Sequence, residues 1–294
     1  GMGKDFYEVS AVARKVIDEA GEWLGLDLKK LCFEEDERLN QTEYTQAALL
    51  TVCLAIEKTL ETYGIFPEVT AGLSLGEYCA IETAGALSLK DAVLTVRKRG
   101  LLMEEAVPAG VGAMAAVLGM DAAAIQAVIQ DREGVWIAND NCPGQLVITG
   151  EKTAVEEAGI LLKEAGARRV LPLKVSGPFH SPLLNAAGEK LAEVLAPCKL
   201  SGLKIPYISN TLAEPVTDKT KIKDLLTRQI SSPVRWRESM EELIREGVDT
   251  FIEIGPGKTL SGFLKKIDRN AVVYSIQTME DLEKTVELLK GRNL

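Results

Sequence analysis

AGLSLGEY, residues 71–78, is the stretch on which the fold turns. VTAGL (69–73) is a short apolar strand candidate, and LGEYCAIETAG (75–85) has helical character. Ser74 stands at the junction, with Gly72 and Gly76 two residues to either side. A serine on a sharp strand-to-helix turn exposes its hydroxyl at a sheet edge, and the helix that follows aims backbone N–H groups and a partial positive charge at a reacting carbonyl. Chance also supplies G-x-S-x-G, so a small-residue turn holding an ordinary serine stays open at this point.

Upstream, EYTQAALLTVCLAIEKTLET (43–62) places Leu49, Cys53, Ile56 and Leu60 on one helical face, and Gly64 and Pro67 end the helix. The order helix, strand, turn, helix predicts an α/β fold with a largely parallel sheet. Downstream, residues 107–175 form a second pattern. Strands at 112–119, 135–139, 145–150 and 168–175 alternate with helices at 121–132, N-capped by Asp121, and 152–166, around a turn at Cys142-Pro143-Gly144. That βαββαβ order is the ferredoxin-like pattern, here inserted into a larger α/β unit made of 1–106 and 176–294. The larger unit resumes with helices near 182–195, 221–230 and 235–246, strands at 205–209, 250–255 and 271–276, and a helix opened by Gly257 and Lys258.

Composition narrows the function. A net charge of -9 argues against a nucleic-acid coat, and no apolar run approaches a membrane span. The N-terminus lacks the apolar core of a signal peptide. The five cysteines are odd in number, scattered and without metal-ligand spacing, which suits a reducing cytoplasm and neither zinc nor disulfides.

A serine nucleophile needs a base, and the chain has a single histidine, His180, in SGPFHSPLL (176–184). Its loop setting permits a functional role, and a packing histidine is the alternative. A long α/β tail follows His180, which is a poor match to the chain order of lipases and esterases. On the helix KDAVLTVRKRGLLMEE (90–105), Arg99 shares an apolar face with Ala92, Val96 and Met103, while Arg97 and Lys98 point elsewhere. A buried arginine needs an anion, either an internal Asp or Glu or the carboxylate of a substrate.

The segments YTQAALL (44–50), GLSLGEY (72–78), RGLLMEEAVPAGVGAMAAV (99–117), NDNCPGQLVITG (139–150), PLKVSGPFHSPLL (172–184), RQISSPVRW (228–236) and EIGPGKTLSG (253–262) together resemble the malonyl-CoA:acyl carrier protein transacylase family, in its order and along nearly the whole chain. The resemblance implies an α/β-hydrolase-like large subdomain with a ferredoxin-like small one, and a ping-pong S-malonyltransferase of fatty-acid biosynthesis. Ser74 would carry the malonyl group from malonyl-CoA to the phosphopantetheine thiol of acyl carrier protein. His180 would be base and then acid, Arg99 the partner of the malonyl carboxylate, and Gln229 the residue whose backbone carbonyl orients the histidine. The Leu75 N–H would be an oxyanion donor, and Phe179 would suit a small acyl group. No cofactor is implied, since malonyl-CoA is a substrate, and a cytoplasmic monomer is expected. Arg168, Arg169, Lys174, Lys265 and Lys266 are candidates for docking an acidic carrier protein.

Two departures stand out. Leu73 occupies the position where the family commonly has histidine, and it is expected to pack. The family's opening apolar strand and G-Q-G-[SA]-Q segment, which brings a second oxyanion donor, have no counterpart before Met2. Gly1 reads as an expression remnant and Met2 as a start set too far downstream, so slower turnover than that of an upstream-extended chain is expected. A polyketide-type acyltransferase, a thioesterase and a weakly active carrier-binding module remain alternatives.

Overall fold

The computed structural model describes residues 1–108, 110–175 and 177–291. Four helices come first: α1 (Lys4–Val9), α2 (Ala11–Leu24), α3 (Leu28–Phe33) and α4 (Thr42–Glu61). Ser10 and Asp27 cap the second and third of these, accepting from the N–H groups of Ala13 and Lys30. The strand-turn-helix unit follows as β1 (Thr70–Ala71) and α5 (Gly76–Thr83), then α6 (Leu89–Glu105), capped by Ser88.

Next come β2 (Gly112–Leu118), α7 (Ala122–Ile129), β3 (Val135–Cys142), β4 (Gln145–Glu151), α8 (Lys152–Glu164) and β5 (Arg169–Pro172). They form one antiparallel sheet in the order β3-β4-β2-β5, which is the ferredoxin-like order. Asp121 caps α7 as its sequence position suggested, its Oδ1 accepting from Ala124 N–H at 2.8 Å. Ile125 and Ile129 of α7 and Val155, Ala158 and Leu162 of α8 pack on the sheet side that Ala115, Val117, Leu146 and Ile148 present. The opposite side shows Met114, Ala138 and Val147, and Phe179 covers them. The hairpin turn is narrower than the sequence suggested, because β3 runs on through Cys142.

The chain returns through α9 (Asn185–Leu195), β6 (Tyr207–Ile208), β7 (Pro215–Val216), α10 (Ile222–Gln229), α11 (Trp236–Arg245), β8 (Thr250–Ile254), α12 (Thr259–Ile267), β9 (Val272–Ile276) and α13 (Met279–Gly291). The parallel pairing expected of the α/β part is present in two places, β1 with β6 and β8 with β9, while β7 adds antiparallel to β6. These pairs belong to separate short sheets rather than to one broad one.

The helix α4 also differs from its reading as an amphipathic element. Leu50, Val52, Leu54, Ile56 and Leu60 are all buried, whereas Leu49 and Cys53 are half-buried. It packs against α2, α5, α6 and β8, so apolar neighbours surround it and no single stripe governs its burial. Among the described residues no helix is long and apolar enough to cross a membrane, and no cluster of His, Cys, Asp and Glu could hold a metal ion.

Candidate active site

The turn between β1 and α5 is held in an unfavourable backbone conformation. Ser74 has φ 53°, in the left-handed region that costs a side-chain-bearing residue about 1–2 kcal/mol. Gly72 makes the turn possible: a Cβ there would lie 1.9 Å from the Gly76 carbonyl oxygen. Gly76 has open space around its own Cβ position, so only the first motif glycine is sterically required. Asn210 clips the turn together. Its Oδ1 accepts from Ser74 N–H at 2.6 Å, and its Nδ2 donates to the Gly72 carbonyl at 2.7 Å.

His180 reaches this turn from 106 residues away, its Nε2 at 2.8 Å from Ser74 Oγ. Its Nδ1 lies 2.9 Å from the backbone carbonyl of Gln229, at the end of α10. A carbonyl only accepts, so Nδ1 carries the proton and Nε2 is left free to accept from the serine hydroxyl. The histidine is buried and also has a positive φ, 60°. Burial, and then the neighbouring Arg99 charge, lower its pKa from 6.5 to about 4. The ring is therefore neutral at physiological pH and able to take a proton.

Arg99 is fully buried with Ala92, Val96 and Met103, the face its spacing predicted. Its Nη1 donates to Gln46 Oε1 at 2.6 Å, and its Nη2 donates to Ser74 Oγ and to Gln229 Oε1, both at 3.0 Å. No Asp or Glu pairs directly with Arg99 among the described residues; the buried Glu77 carboxyl acts on it at a distance, linked through the Gln229 amide, and Arg99 Nε has no hydrogen-bond acceptor. Desolvation of this charge lowers its pKa. Arg97, by contrast, pairs with Glu43 and stacks over Tyr44 with its guanidinium 4.1 Å from the ring centre.

Leu75, directly after Ser74, is the N-cap residue of α5, and no side chain caps that first turn. The N–H groups of Gly76, Glu77 and Tyr78 donate to the carbonyls of Leu73, Ser74 and Leu75. Phe179 sits beside His180 and packs on the sheet face of Met114, Ala138 and Val147. The basic candidates separate into groups. The register puts Leu118 opposite both Gln145 and Arg169, and Lys266 Nζ donates to Gln145 Oε1, so Arg169 and Lys266 share one end of the sheet. Lys174 lies past the other end of β5, and Lys265 is occupied by the Ala271 carbonyl.

Three residues of the site escaped the sequence reading: Gln46, Glu77 and Asn210. Glu77 is fully buried; its Oε1 accepts from Asn210 N–H at 3.3 Å and its Oε2 from Gln229 Nε2 at 2.7 Å. Burial pushes this carboxyl up to about 8 against the pull of both donors and of Arg99. Its two N–H donors favour the ionised form, and burial opposes it. A polar residue inside a buried helical stretch was the available signal: Gln46 stands one and two turns before buried Leu50 and Leu54.

A serine at a strained strand-to-helix turn, a neutral histidine at its hydroxyl and a helix N-terminus behind it, set in an α/β fold with a ferredoxin-like sheet, are the marks of a serine acyltransferase. The acyl transferase domain family model matches residues 1–281, and the chain belongs to that family. It is 52% identical over 298 residues to the malonyl CoA-acyl carrier protein transacylase of Bacillus subtilis, covering 100% of this chain and 94% of that one. It is 43% identical to the protein of the same name from Staphylococcus aureus, over 96% of this chain and 93% of the relative. The crystal structure of the malonyl CoA-acyl carrier protein transacylase from Clostridium perfringens superposes with a TM-score of 0.96 at 42% identity, over 100% of this chain and 94% of that one. A malonyl-transacylase solved in complex with its type II polyketide acyl-carrier protein superposes at 0.95, with 38% identity, over 98% and 95% of the two chains.

Proposed function

We propose that the protein transfers a malonyl group from malonyl-CoA to the phosphopantetheine thiol of acyl carrier protein, with Ser74 carrying the group between them. Ser74 Oγ attacks the thioester carbonyl as His180 Nε2 takes the hydroxyl proton. The oxyanion is met by the Leu75 N–H at the start of α5. The tetrahedral adduct collapses, the C–S bond breaks, and CoA leaves with the proton returned by His180. The carrier thiol then attacks malonyl-Ser74 with His180 again as base, forming the new thioester and freeing the serine. The Gln229 carbonyl keeps the imidazole in the tautomer that both half-reactions use. One thioester is exchanged for another, with CoA released as the free thiol and no change of oxidation state, so no cofactor is required.

The observation that carries this reading is Arg99: a fully buried cation beside the nucleophile, with no carboxylate partner of its own among the described residues. A buried charge without a direct ion-pair partner is costly, and an acyl group bearing a carboxylate supplies that direct partner. The names of the relatives point to the same acyl group and acceptor. The end of the ferredoxin-like sheet that carries Arg169 and Lys266 suits an acidic carrier protein, and the five free thiols suit the cytoplasm.

The test is intact mass after brief exposure to malonyl-CoA. The protein gains one malonyl group, Ser74→Ala gains none, and addition of holo acyl carrier protein removes it. Label that persists in Ser74→Ala, or that only water removes, would defeat the proposal.

A further inference from the structure

The side-chain amide of Gln229 has two unlike ends, and the site uses both. Its Oε1 accepts from Arg99 Nη2 at 3.0 Å, while its Nε2 donates to the Ser74 carbonyl and to Glu77 Oε2, each at 2.7 Å. Turned by half a rotation, the NH2 would face the guanidinium donors, and the oxygen would face a carbonyl and a carboxylate. Glu77 and the Ser74 carbonyl therefore together hold the orientation in which Gln229 presents an oxygen to Arg99. The carboxylate is anchored in turn by Asn210 N–H at 3.3 Å. Its own hydrogen bonds run to Gln229 and Asn210 and not to Ser74 Oγ or His180. Burying a carboxylate is expensive, and an apolar side chain would fill the same space at lower cost.

We propose that Glu77 is a positioning residue which, through the Gln229 amide, sets the place of the Arg99 guanidinium beside Ser74 and so the preference for carboxylate-bearing acyl groups. This rests on the reading of Arg99 as the carboxylate clamp. Removing the acceptor leaves one of the two Nε2 hydrogens unmatched, so that only the Ser74 carbonyl and Arg99 still hold the amide in place. E77Q keeps a carbonyl oxygen for Gln229, because placing its NH2 toward Asn210 sacrifices the longer of the two contacts.

The experiment compares the rates at which malonyl-CoA and acetyl-CoA acylate Ser74, read by intact mass, in the parent, E77M, E77Q and R99A. E77M is expected to lower the malonyl-to-acetyl ratio about tenfold or more, and E77Q to stay within about threefold of the parent. A role confined to packing or folding would slow both acyl groups alike and leave the ratio unmoved. A parental ratio in E77M, or an equal fall in E77M and E77Q, overturns the inference. R99A separates it from its premise: if R99A leaves the ratio intact the clamp itself is wrong, whereas a fall in R99A alone removes only Glu77. Should E77M fail to fold, Q229M reads the same link from its other end while keeping the carbonyl that holds His180, and an undiminished ratio there overturns the inference equally.

Discussion

Arg99 Nη2 lies 3.0 Å from Ser74 Oγ, the oxygen that His180 Nε2 holds at 2.8 Å from the other side. The hydroxyl accepts from a cation and donates to a neutral base. A positive charge at that oxygen favours the serine alkoxide, and the same guanidinium edge is placed for a second anion.

Loss of that guanidinium should discriminate between acyl groups. Arg99→Ala is expected to slow malonyl transfer about 10²-fold more than acetyl transfer, the worth of a buried charge-assisted pair. Arg99→Lys should recover little, since one ammonium cannot reproduce contacts made by two guanidinium nitrogens. Steady-state kcat/KM for the two thioesters checks this, and equal losses would speak against the clamp.

The acid limb of the reaction should be displaced. A histidine whose pKa is lowered to about 4 is protonated only below that value, so the base stays competent well under the ordinary 6.5. Ser74 acylation by acetyl-CoA, whose acyl group has no carboxyl to titrate, should run flat from neutral pH to about 5 and fall below it. Arg99→Ala removes one of the two causes of the shift and should move the limb back toward 6.5. A parental limb already at 6.5 would contradict the burial argument.

The two motif glycines should behave differently. Gly72→Ala drives a Cβ to within 1.9 Å of the Gly76 carbonyl oxygen and 2.6 Å of Glu77 N, both backbone atoms that cannot step aside. It is expected to destabilise the protein by several kcal/mol and to abolish acylation. Gly76→Ala meets nothing within 4 Å and gains helix propensity, so it should keep parental activity and equal or higher Tm. Thermal melts and acylation rates of the pair decide the point.

The contrast between those glycines shows what the sequence carried and what it did not. G-x-S-x-G marks the turn, yet only the folded backbone reveals which glycine the turn needs. The βαββαβ unit was legible because three of its strands run for seven or eight residues between turn residues and Asp121 caps its first helix. The α/β part was legible mainly through its helices, since β1, β6 and β7 are two residues each and too short for any periodicity. Ser74, His180, Arg99 and Gln229 could be named because each stands in a distinctive segment or is the sole residue of its type. Gln46, Glu77 and Asn210 could not, because their meaning lies in partners 53 to 152 residues away.

Asn210 supplies the most direct test of how Ser74 is held. Its side chain spans the turn, accepting from Ser74 N–H and donating to the Gly72 carbonyl, while Ser74 pays for a φ of 53°. Asn210→Ala leaves a donor and an acceptor without their partner and removes the clip that opposes relaxation of the strained backbone. It should lower stability by about 1–3 kcal/mol. Acylation should fall further than stability does, because a relaxed turn carries Ser74 Oγ away from His180 Nε2. Asn210→Asp keeps the acceptor for Ser74 but sets a carboxylate oxygen against the Gly72 carbonyl, so it should not restore the parent. Urea melts together with single-turnover acylation measure both effects. A parental acylation rate in folded Asn210→Ala would mean that the turn holds its strained shape without the clip.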